Sequence, residues 1–269
     1  MELQPLQKVS YTPYEISTIT VTGNVNSHLN LDAFYEFIDI DKYDMIRYVE
    51  YGSTKSDHCY KGVRESKTKK TKPFGKRFDN QMTLHVVDGE AKYNVKLFKN
   101  GKLQMTGVKD VDFAKDVVDE LIKIITIENK QQRIILNDCG ELENCNFKTQ
   151  LINCYFRINY KVNRAELYRL LSNKYSLNCT YEPCIYQGVK LTYYFNGNSE
   201  NGKCNCLKRC LGKGPKTICK KVTVATFQSG CVMISGATEI AQIDHLYAFM
   251  KNLLEKHAET IHQPQYELK

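Results

Sequence analysis

One supersecondary pattern occurs twice in this chain, in 97-LFKNGKLQMTG-107 and in 226-TFQSGCVMISG-236. Both segments read Phe-x-x-Gly-x4-[Thr/Ser]-Gly, and the second lies 129 residues after the first. The pattern predicts a strand that ends in an aromatic residue, a tight glycine turn and a second strand that stops at glycine. Apolar residues with the spacing of one helix face follow each segment, from Val111 and from Ile240. The chain is therefore predicted to contain two tandem copies of one structural unit.

Each repeat is predicted to contain a strand, a helix, a three-strand meander and a long helix, which gives an α+β fold. Two insertions interrupt the repeats: a Lys-, Ser-, Thr- and Gly-rich segment at about 52–77, interpreted as mobile, and a Cys-rich segment at 196–219. The predicted organisation is a first repeat at 14–127, a connector at 128–147, a second repeat at 148–257 and a frayed tail at 258–269.

Element boundaries follow from local signals. Asn30 and Asn163 are predicted helix N-caps, and Glu166 lies in the capping-box position after Asn163. The predicted strands are 16–25, 78–87, 92–98 and 102–107 in the first repeat, and 149–158, 184–195, 221–227 and the strand up to Gly236 in the second. The predicted long helices are 110–126 and 239–257.

The composition favours a reduced, intracellular protein. Residues 1–13 carry no apolar secretion signal, and no apolar run reaches membrane-spanning length. The eleven cysteines are an odd number and most lie inside predicted elements, so reduced thiols are expected rather than disulfides. The formal net charge of +8 mildly favours an anionic partner such as nucleic acid.

On the basis of these residues, the chain resembles the TATA-box-binding protein family in a strongly diverged form. It is most similar in character to the versions of this protein that large DNA viruses carry. The resemblance covers roughly residues 14–257 and is most specific in 95-VKLFKNGKLQMTGVK-109, 181-YEPCIYQGVKL-191 and 226-TFQSGCVMISGA-237. It implies a TATA-box-binding-protein-like saddle with a pseudo-twofold repeat. In this fold a curved ten-stranded antiparallel sheet sits with its concave face on the DNA minor groove, and four helices cover the convex face.

The resemblance also implies aromatic wedges, which unstack base steps from the minor groove. In the second repeat they fall on Tyr186 and Phe227. In the first repeat one falls on Phe98 and the other on Phe78, which a Lys-Arg pair precedes as in the family. Tyr48 is a rival for the place of Phe78. The alternative is that these rings are core residues, the usual fate of an aromatic residue in a strand.

Residues of the closing strands are carried over as a groove-facing set. Thr106 and Ser235 match the family's groove-facing hydroxyls, and Gln104 and Met233 match its groove-facing valines. Period-two alternation puts each pair on one sheet face. An ordinary solvated strand face would show the same alternation.

Lys102 and Lys109 correspond to phosphate-facing lysines of the family's first repeat. Cys231 and Thr238 occupy the equivalent places in the second repeat. The first repeat is therefore predicted to carry more positive charge at these positions than the second. A solvated lysine is the alternative to a phosphate contact. The basic run 67-KTKKTK-72 would add sequence-blind affinity for DNA, or serve as a solubilising loop or localisation signal.

The chain departs from the family at its two central asparagines. The aligned positions on the groove face are Thr18 and Leu151, and neither side chain can present an amide donor to a base. Asn153 lies two residues away. The usual TATA preference is therefore in doubt, whereas binding that depends on shape and wedges survives the change.

The Cys-rich insertion contains Cys204, Cys206, Cys210 and Cys219, spaced C-x-C-x3-C-x8-C. Four thiolates in a loop can hold a structural zinc ion, although the spacing lacks the usual C-x2-C knuckle. Free thiols are the alternative. The resemblance implies that this insertion extends the second stirrup, the loop of the second repeat where the family docks its B-type initiation factor.

The resemblance implies a transcription initiation factor that binds and bends promoter DNA and recruits a B-type factor and RNA polymerase, as a monomer on DNA. The alternative is a saddle-fold protein-interaction module that has lost specific TATA binding. An enzyme is not expected, since no deaminase pattern, phosphate loop or catalytic triad is present and the six histidines lack ligand spacing. The expected location is the nucleus, a viral replication factory in the cytoplasm, or the virion.

Overall fold

The computed structural model of the chain describes residues 8–52, 60–63, 80–89, 91–137, 140–196, 201–204, 206 and 219–263. The chain divides into two compact units. Thr18–Gln150 form the first-repeat unit, and Met1–Ser17 with Leu151–Lys269 form the second-repeat unit. Among the described residues, none of the helices is both long and apolar enough to span a bilayer.

The first-repeat unit contains an antiparallel sheet in the order β3-β2-β4-β5-β6-β1. Its elements are β1 (Glu15–Val25, from Thr18 in this unit), α1 (Leu31–Phe37), β2 (Ile46–Glu50), β3 (Tyr60–Gly62), β4 (Gln81–Asp88), β5 (Ala91–Phe98), β6 (Lys102–Val108) and α2 (Val111–Asn129).

The second-repeat unit contains an antiparallel sheet in the order β7-β11-β10-β9-β8. Its elements are β7 (Asn144–Arg157, from Leu151 in this unit), α3 (Arg164–Arg169), β8 (Asn178–Thr180), β9 (Val189–Phe195), β10 (Lys220–Thr226), β11 (Cys231–Ala237), α4 (Ile240–Lys256) and α5 (Ala258–Ile261). A π-helical turn, Leu170–Lys174, continues α3.

The two units use the same glycine turn at equivalent places. Gly101 donates its N–H to the carbonyl of Phe98 at 2.9 Å, and Gly230 donates to that of Phe227 at 3.1 Å. Both glycines have positive φ, 78° and 81°, a conformation that side chains with a Cβ rarely adopt. The structural repeat predicted from the sequence is therefore present in the backbone.

Helices cover one face of each sheet. In the first-repeat unit, Val95 and Leu97 of β5 are fully buried, and the ring of Tyr93 lies 5.8 Å from that of Phe113 on α2. The second-repeat unit repeats this arrangement, because the ring of Phe156 on β7 lies 4.9 Å from that of Tyr247 on α4. In each unit the opposite face of the sheet, here called the open face, carries the polar residues that alternate with these core side chains.

The predicted N-caps are confirmed, but one capping detail is wrong. The side chains of Asn30 and Asn163 accept from the backbone N–H groups of Ala33 and Glu166. The Glu166 carboxylate does not complete a capping box, because Asn163 donates its N–H to the carbonyl of Ile261. Glu166 instead pairs with the Arg169 guanidinium at 2.5 Å.

Several boundaries also differ from prediction. The segment predicted to be a strand from 184 begins as a turn, and β9 starts only at Val189. The segment interpreted as a mobile insertion contains β3, which pairs with β2. The segment predicted to be a frayed tail contains α5, in which Ile261 is fully buried.

Candidate nucleic-acid interface

The open face of the first-repeat unit brings together the groove-facing residues predicted on β6. Gln104 and Thr106 are half-buried and Lys102 is exposed, whereas Leu103 and Met105 between them are buried toward the helices. Across the ladder, Gln104 lies opposite Lys96 and Thr106 opposite Asn94. This face is therefore built from amides, hydroxyls and lysines.

Phe98 lies at the end of β5 on the same open face. Its neighbour Leu97 is fully buried on the helix side, whereas Phe98 is half-buried and pairs across the ladder with Gln81. Phe98 is thus not packed beneath the helices, and the core alternative does not hold for it. Its ring retains apolar surface that another molecule can contact.

The rival wedge Tyr48 also lies on the open face but is covered. Its ring stacks on that of Tyr60 in β3, with centroids 5.9 Å apart, and lies 5.0 Å from the ring of His85. Only 3% of Tyr48 is exposed. The insertion strand β3 therefore covers this position. Phe78, the first choice for the wedge, lies outside the described residues.

Thr18 and Lys109 lie at the margin of the same sheet. The Thr18 hydroxyl accepts a hydrogen bond from the backbone N–H of Gly107 at 3.3 Å, beside a register shift in β1. The hydroxyl thus serves the backbone where the strands β1 and β6 change register. Lys109 is exposed, one residue beyond β6.

The second-repeat unit presents an equivalent open face. Met233, 37% exposed, lies opposite Tyr155 of β7, and the half-buried Ser235 lies opposite Asn153. Leu151 is half-buried at the same alternation as Asn153 and Tyr155. The predicted groove-facing residues of this repeat therefore share one sheet face.

Asn153 is an unusual member of this face. Its side-chain oxygen is buried and has no hydrogen-bond partner among the described residues, while its backbone carbonyl accepts from the Ser17 hydroxyl at 3.0 Å. A buried amide oxygen without a partner costs free energy unless water or a ligand supplies one. From the sequence alone, Asn153 was noted only because it lies two residues from Leu151, which stands where the family has an asparagine.

A basic residue that the sequence analysis missed restores positive charge to this unit. Arg157 is exposed at the end of β7 and lies directly opposite Cys231, the residue that stands where a lysine was expected. In the first repeat the equivalent pair is Lys102 opposite Asn24. In the second repeat the basic side chain is thus on the neighbouring strand. Each open face therefore carries one basic residue at this pair of opposed residues.

Tyr186 and Phe227 form an aromatic pair at the same end of this face, where the Phe227 N–H donates to the Cys231 carbonyl at 2.9 Å. Their centroids are 5.7 Å apart, and the Lys190 ammonium lies 3.9 Å from the centroid of the Tyr186 ring, within range of a cation–π interaction. Both rings are half-buried. Tyr186 belongs to the turn before β9 rather than to a strand, which corrects the predicted placement.

Arg164 connects the two segments that carry these rings. Its guanidinium donates to the backbone and side-chain oxygens of Gln187, at 2.6 and 2.8 Å, and to the side chain of Gln228 at 3.1 Å. Gln187 follows Tyr186 and Gln228 follows Phe227. The first residue of α3 therefore fixes both aromatic residues relative to each other.

Two acidic side chains at the open faces are engaged by tyrosine hydroxyls. Glu15 accepts a hydrogen bond from the Tyr155 hydroxyl at 2.6 Å, and Glu50 accepts one from Tyr48 on β2, next to the edge strand β3. The middle of the first-repeat face, with Lys96 and Lys102, is basic. These surfaces suit a polyanion better than a cationic partner.

The Cys-rich insertion is described only in part. The sulfur atoms of Cys204, Cys206 and Cys219 all lie within 4.8 Å of one another. Cys210, the fourth predicted ligand, lies outside the described residues.

Comparison with known proteins agrees with the resemblance seen in the sequence. No protein-family model matches the chain. The chain is 29% identical over 268 residues to a protein of Acanthamoeba polyphaga mimivirus named TATA-box-binding protein-like, with 92% of this chain and 66% of that protein covered. The chain thus spans just under two thirds of that relative's length.

Among solved structures, the chain is similar to Methanococcus jannaschii TBP, with a TM-score of 0.50 and 16% sequence identity over 92% of this chain and 99% of that one. At this identity the likeness shows the fold alone. The predicted α+β fold of the TATA-box-binding protein family is confirmed, and so is the resemblance to that family.

Proposed function

We propose that this chain is a transcription initiation factor that binds and bends duplex DNA through the minor groove. One observation carries the proposal: Phe98 is the last residue of β5 and Phe227 directly follows β10, and both rings are half-buried on the open face instead of packed under helices. An apolar ring at such a position can insert between base pairs, which unstacks them and kinks the duplex. The name of the mimivirus relative and the family fold support a DNA-binding role in transcription.

The remaining open-face residues suit contact with a groove and its phosphates. Lys102 and Arg157 give each repeat one exposed cation at the same rung of its ladder, where it can pair with a phosphate. Thr106, Ser235 and Met233 offer small hydroxyls and an apolar surface to sugars and base edges. With Thr18 and Leu151 in place of asparagines, shape and deformability contribute more to site choice than hydrogen bonds do.

By resemblance, the bound DNA is then recognised by a B-type initiation factor and RNA polymerase. A second candidate function is a protein-interaction module of the transcription machinery that does not bind DNA specifically. Leu151 favours it, because this half-buried apolar side chain lies on the open face at an asparagine position of the family and cannot donate to a base.

An electrophoretic shift assay with an A/T-rich duplex, titrated with salt, separates the two functions. We expect a shifted complex whose log affinity falls linearly with log salt, because released counterions drive phosphate contacts. A small minor-groove ligand added in excess should displace the protein. Absence of a complex at low salt, or a complex that a G/C-rich duplex competes away equally well, from a chain that circular dichroism shows to be folded, would favour the interaction module.

A further inference from the structure

Three cysteine sulfurs converge where the Cys-rich insertion leaves and rejoins the sheet. The Cys206 and Cys219 sulfurs are 3.6 Å apart, and those of Cys219 and Cys204 are 3.8 Å apart. Cys219 is only 3% exposed and directly precedes β10, whereas Cys204 and Cys206 follow β9. The pairing of Lys220 with Phe195 brings the two ends of the insertion together.

These separations match those of thiolates around a tetrahedral metal ion. With a Zn–S bond of about 2.3 Å, the edge of a tetrahedron of sulfur ligands is about 3.8 Å. A disulfide would instead need sulfurs about 2.05 Å apart. Thiolate sulfur is a soft ligand, and it selects zinc over magnesium or calcium.

The backbone around the cluster is held in place by its own contacts. Gly202 has a φ of 75°, and a Cβ there would meet the Tyr193 ring at 2.5 Å, so this segment packs closely on β9. The Gly202 carbonyl accepts from the Tyr194 N–H at 3.0 Å. The Asn196 side chain donates to the carbonyl of Lys203 at 3.2 Å. The same Asn196 amide lies 3.8 Å from the Cys219 sulfur, so it connects the segment that carries Cys204 with Cys219.

We propose that Cys204, Cys206 and Cys219 hold a structural zinc ion that closes the base of the insertion. The three thiolates supply three corners of the tetrahedron, and water or a further ligand completes it. Binding displaces the thiol protons and involves no change in oxidation state. The ion ties the end of β9 to the start of β10, and so fixes where the insertion emerges from the sheet. This proposal does not depend on DNA binding.

The test is metal analysis of the full chain, purified with a thiol reductant and without chelator. We expect about one zinc per chain, as in other structural sites. Cys204→Ser and Cys206→Ser should each lose most of that zinc. Cys184→Ser is the matched control, because Cys184 is exposed in the same unit but outside the cluster; this variant should retain the metal.

A second readout follows the thiols and the bound metal directly. Iodoacetamide should modify Cys184 in the zinc-loaded chain but spare Cys204 and Cys206 until a chelator is added, as mapped by mass spectrometry. Co²⁺ added to the chelated chain should give thiolate charge-transfer absorption that Cys206→Ser removes. The proposal is overturned if the purified chain carries no zinc and gives no such absorption with Co²⁺. A disulfide between two of the three cysteines in the natively purified chain would overturn it equally.

Discussion

The ring of Phe227 lies against that of Tyr186, with centroids 5.7 Å apart and ring planes inclined by 59°. A glycine makes this pair possible. A Cβ built on Gly188 would meet the Tyr186 ring at 2.9 Å and the Phe227 ring at 3.2 Å. The absence of a side chain at position 188 therefore sets how the two proposed wedges of the second repeat sit on the open face.

Gly188→Ala tests this relationship. Its φ is compatible with alanine, and the half-buried Tyr186 ring is able to move, so we expect the free energy of unfolding to change by less than about 1 kcal/mol. The displaced rings should weaken duplex binding by on the order of 1 kcal/mol, measured by fluorescence anisotropy. Gly140→Ala is the control for affinity: its positive φ of 70° should cost about 1 kcal/mol of stability, but a Cβ there meets nothing within 4 Å and touches neither ring, so duplex binding should be unchanged. Unchanged affinity in Gly188→Ala would mean that the ring pair does not touch DNA.

Gly101→Ala should destabilise the first-repeat unit by at least about 2 kcal/mol, because it adds a left-handed backbone penalty to a steric clash. A Cβ on Gly101 would meet the Ser27 carbonyl oxygen at 2.2 Å. Gly89→Ala is the matched control, because it also has a positive φ but an open surrounding, so it should cost only about 1 kcal/mol. Urea unfolding measures both. Equal costs would show that the turn tolerates the added methyl group.

The repeat and its turns could be predicted from the sequence because they depend on local signals. Gly101 and Gly230 mark tight turns, and Asn30 and Asn163 mark helix starts, whatever lies around them. The strands β2, β3 and β8 were missed. They are short, and pairing stabilises them more than their own composition does: β2 pairs with β4, β3 with β2 and β8 with β9.

The candidate site was predictable only in part for a related reason. Strand alternation put Gln104 and Thr106 on one face, but no local pattern connects Arg157 with Cys231, which are far apart in sequence and meet across the ladder. Arg157 occupies the place on β7 that Asn24 occupies on β1, so an alignment of these two strands would have identified it. The burial of Tyr48 under Tyr60 likewise depends on pairing between strands that the sequence did not indicate.

Lys102→Ala and Arg157→Ala should each reduce the magnitude of the salt dependence of DNA binding. Loss of one phosphate contact lowers the slope of log affinity against log salt by about 0.9. Lys123→Ala is the control, because Lys123 lies on α2 and pairs with Glu120, away from the open face. A slope that Arg157→Ala leaves unchanged would remove this residue from the proposed interface.

Stability should fall as the pH is lowered below the ordinary pKa of histidine, in part because of His257. Burial, aided by Lys174 and Lys256, lowers the pKa of this imidazole, whose Nε2 lies 2.8 Å from the Tyr175 hydroxyl oxygen. The unfolded chain therefore binds the proton first, and the folded state loses stability from about pH 6.5 downward. His257→Gln should flatten this part of the profile, measured by urea unfolding at a series of pH values. An unaltered profile in the variant would exclude His257 as the cause.

DNA bending by the phenylalanine wedges is the central claim, and energy transfer between dyes at the two ends of an A/T-rich duplex tests it most directly. The unaltered protein should raise the transfer, because a kinked duplex brings its ends closer. Phe98→Ala and Phe227→Ala should each bind more weakly, by on the order of 1–3 kcal/mol, and bend the duplex less. Phe37→Ala should do neither, since Phe37 is exposed on α1. The account is contradicted if the duplex stays straight when bound, or if the two wedge variants bend it as well as the unaltered protein does.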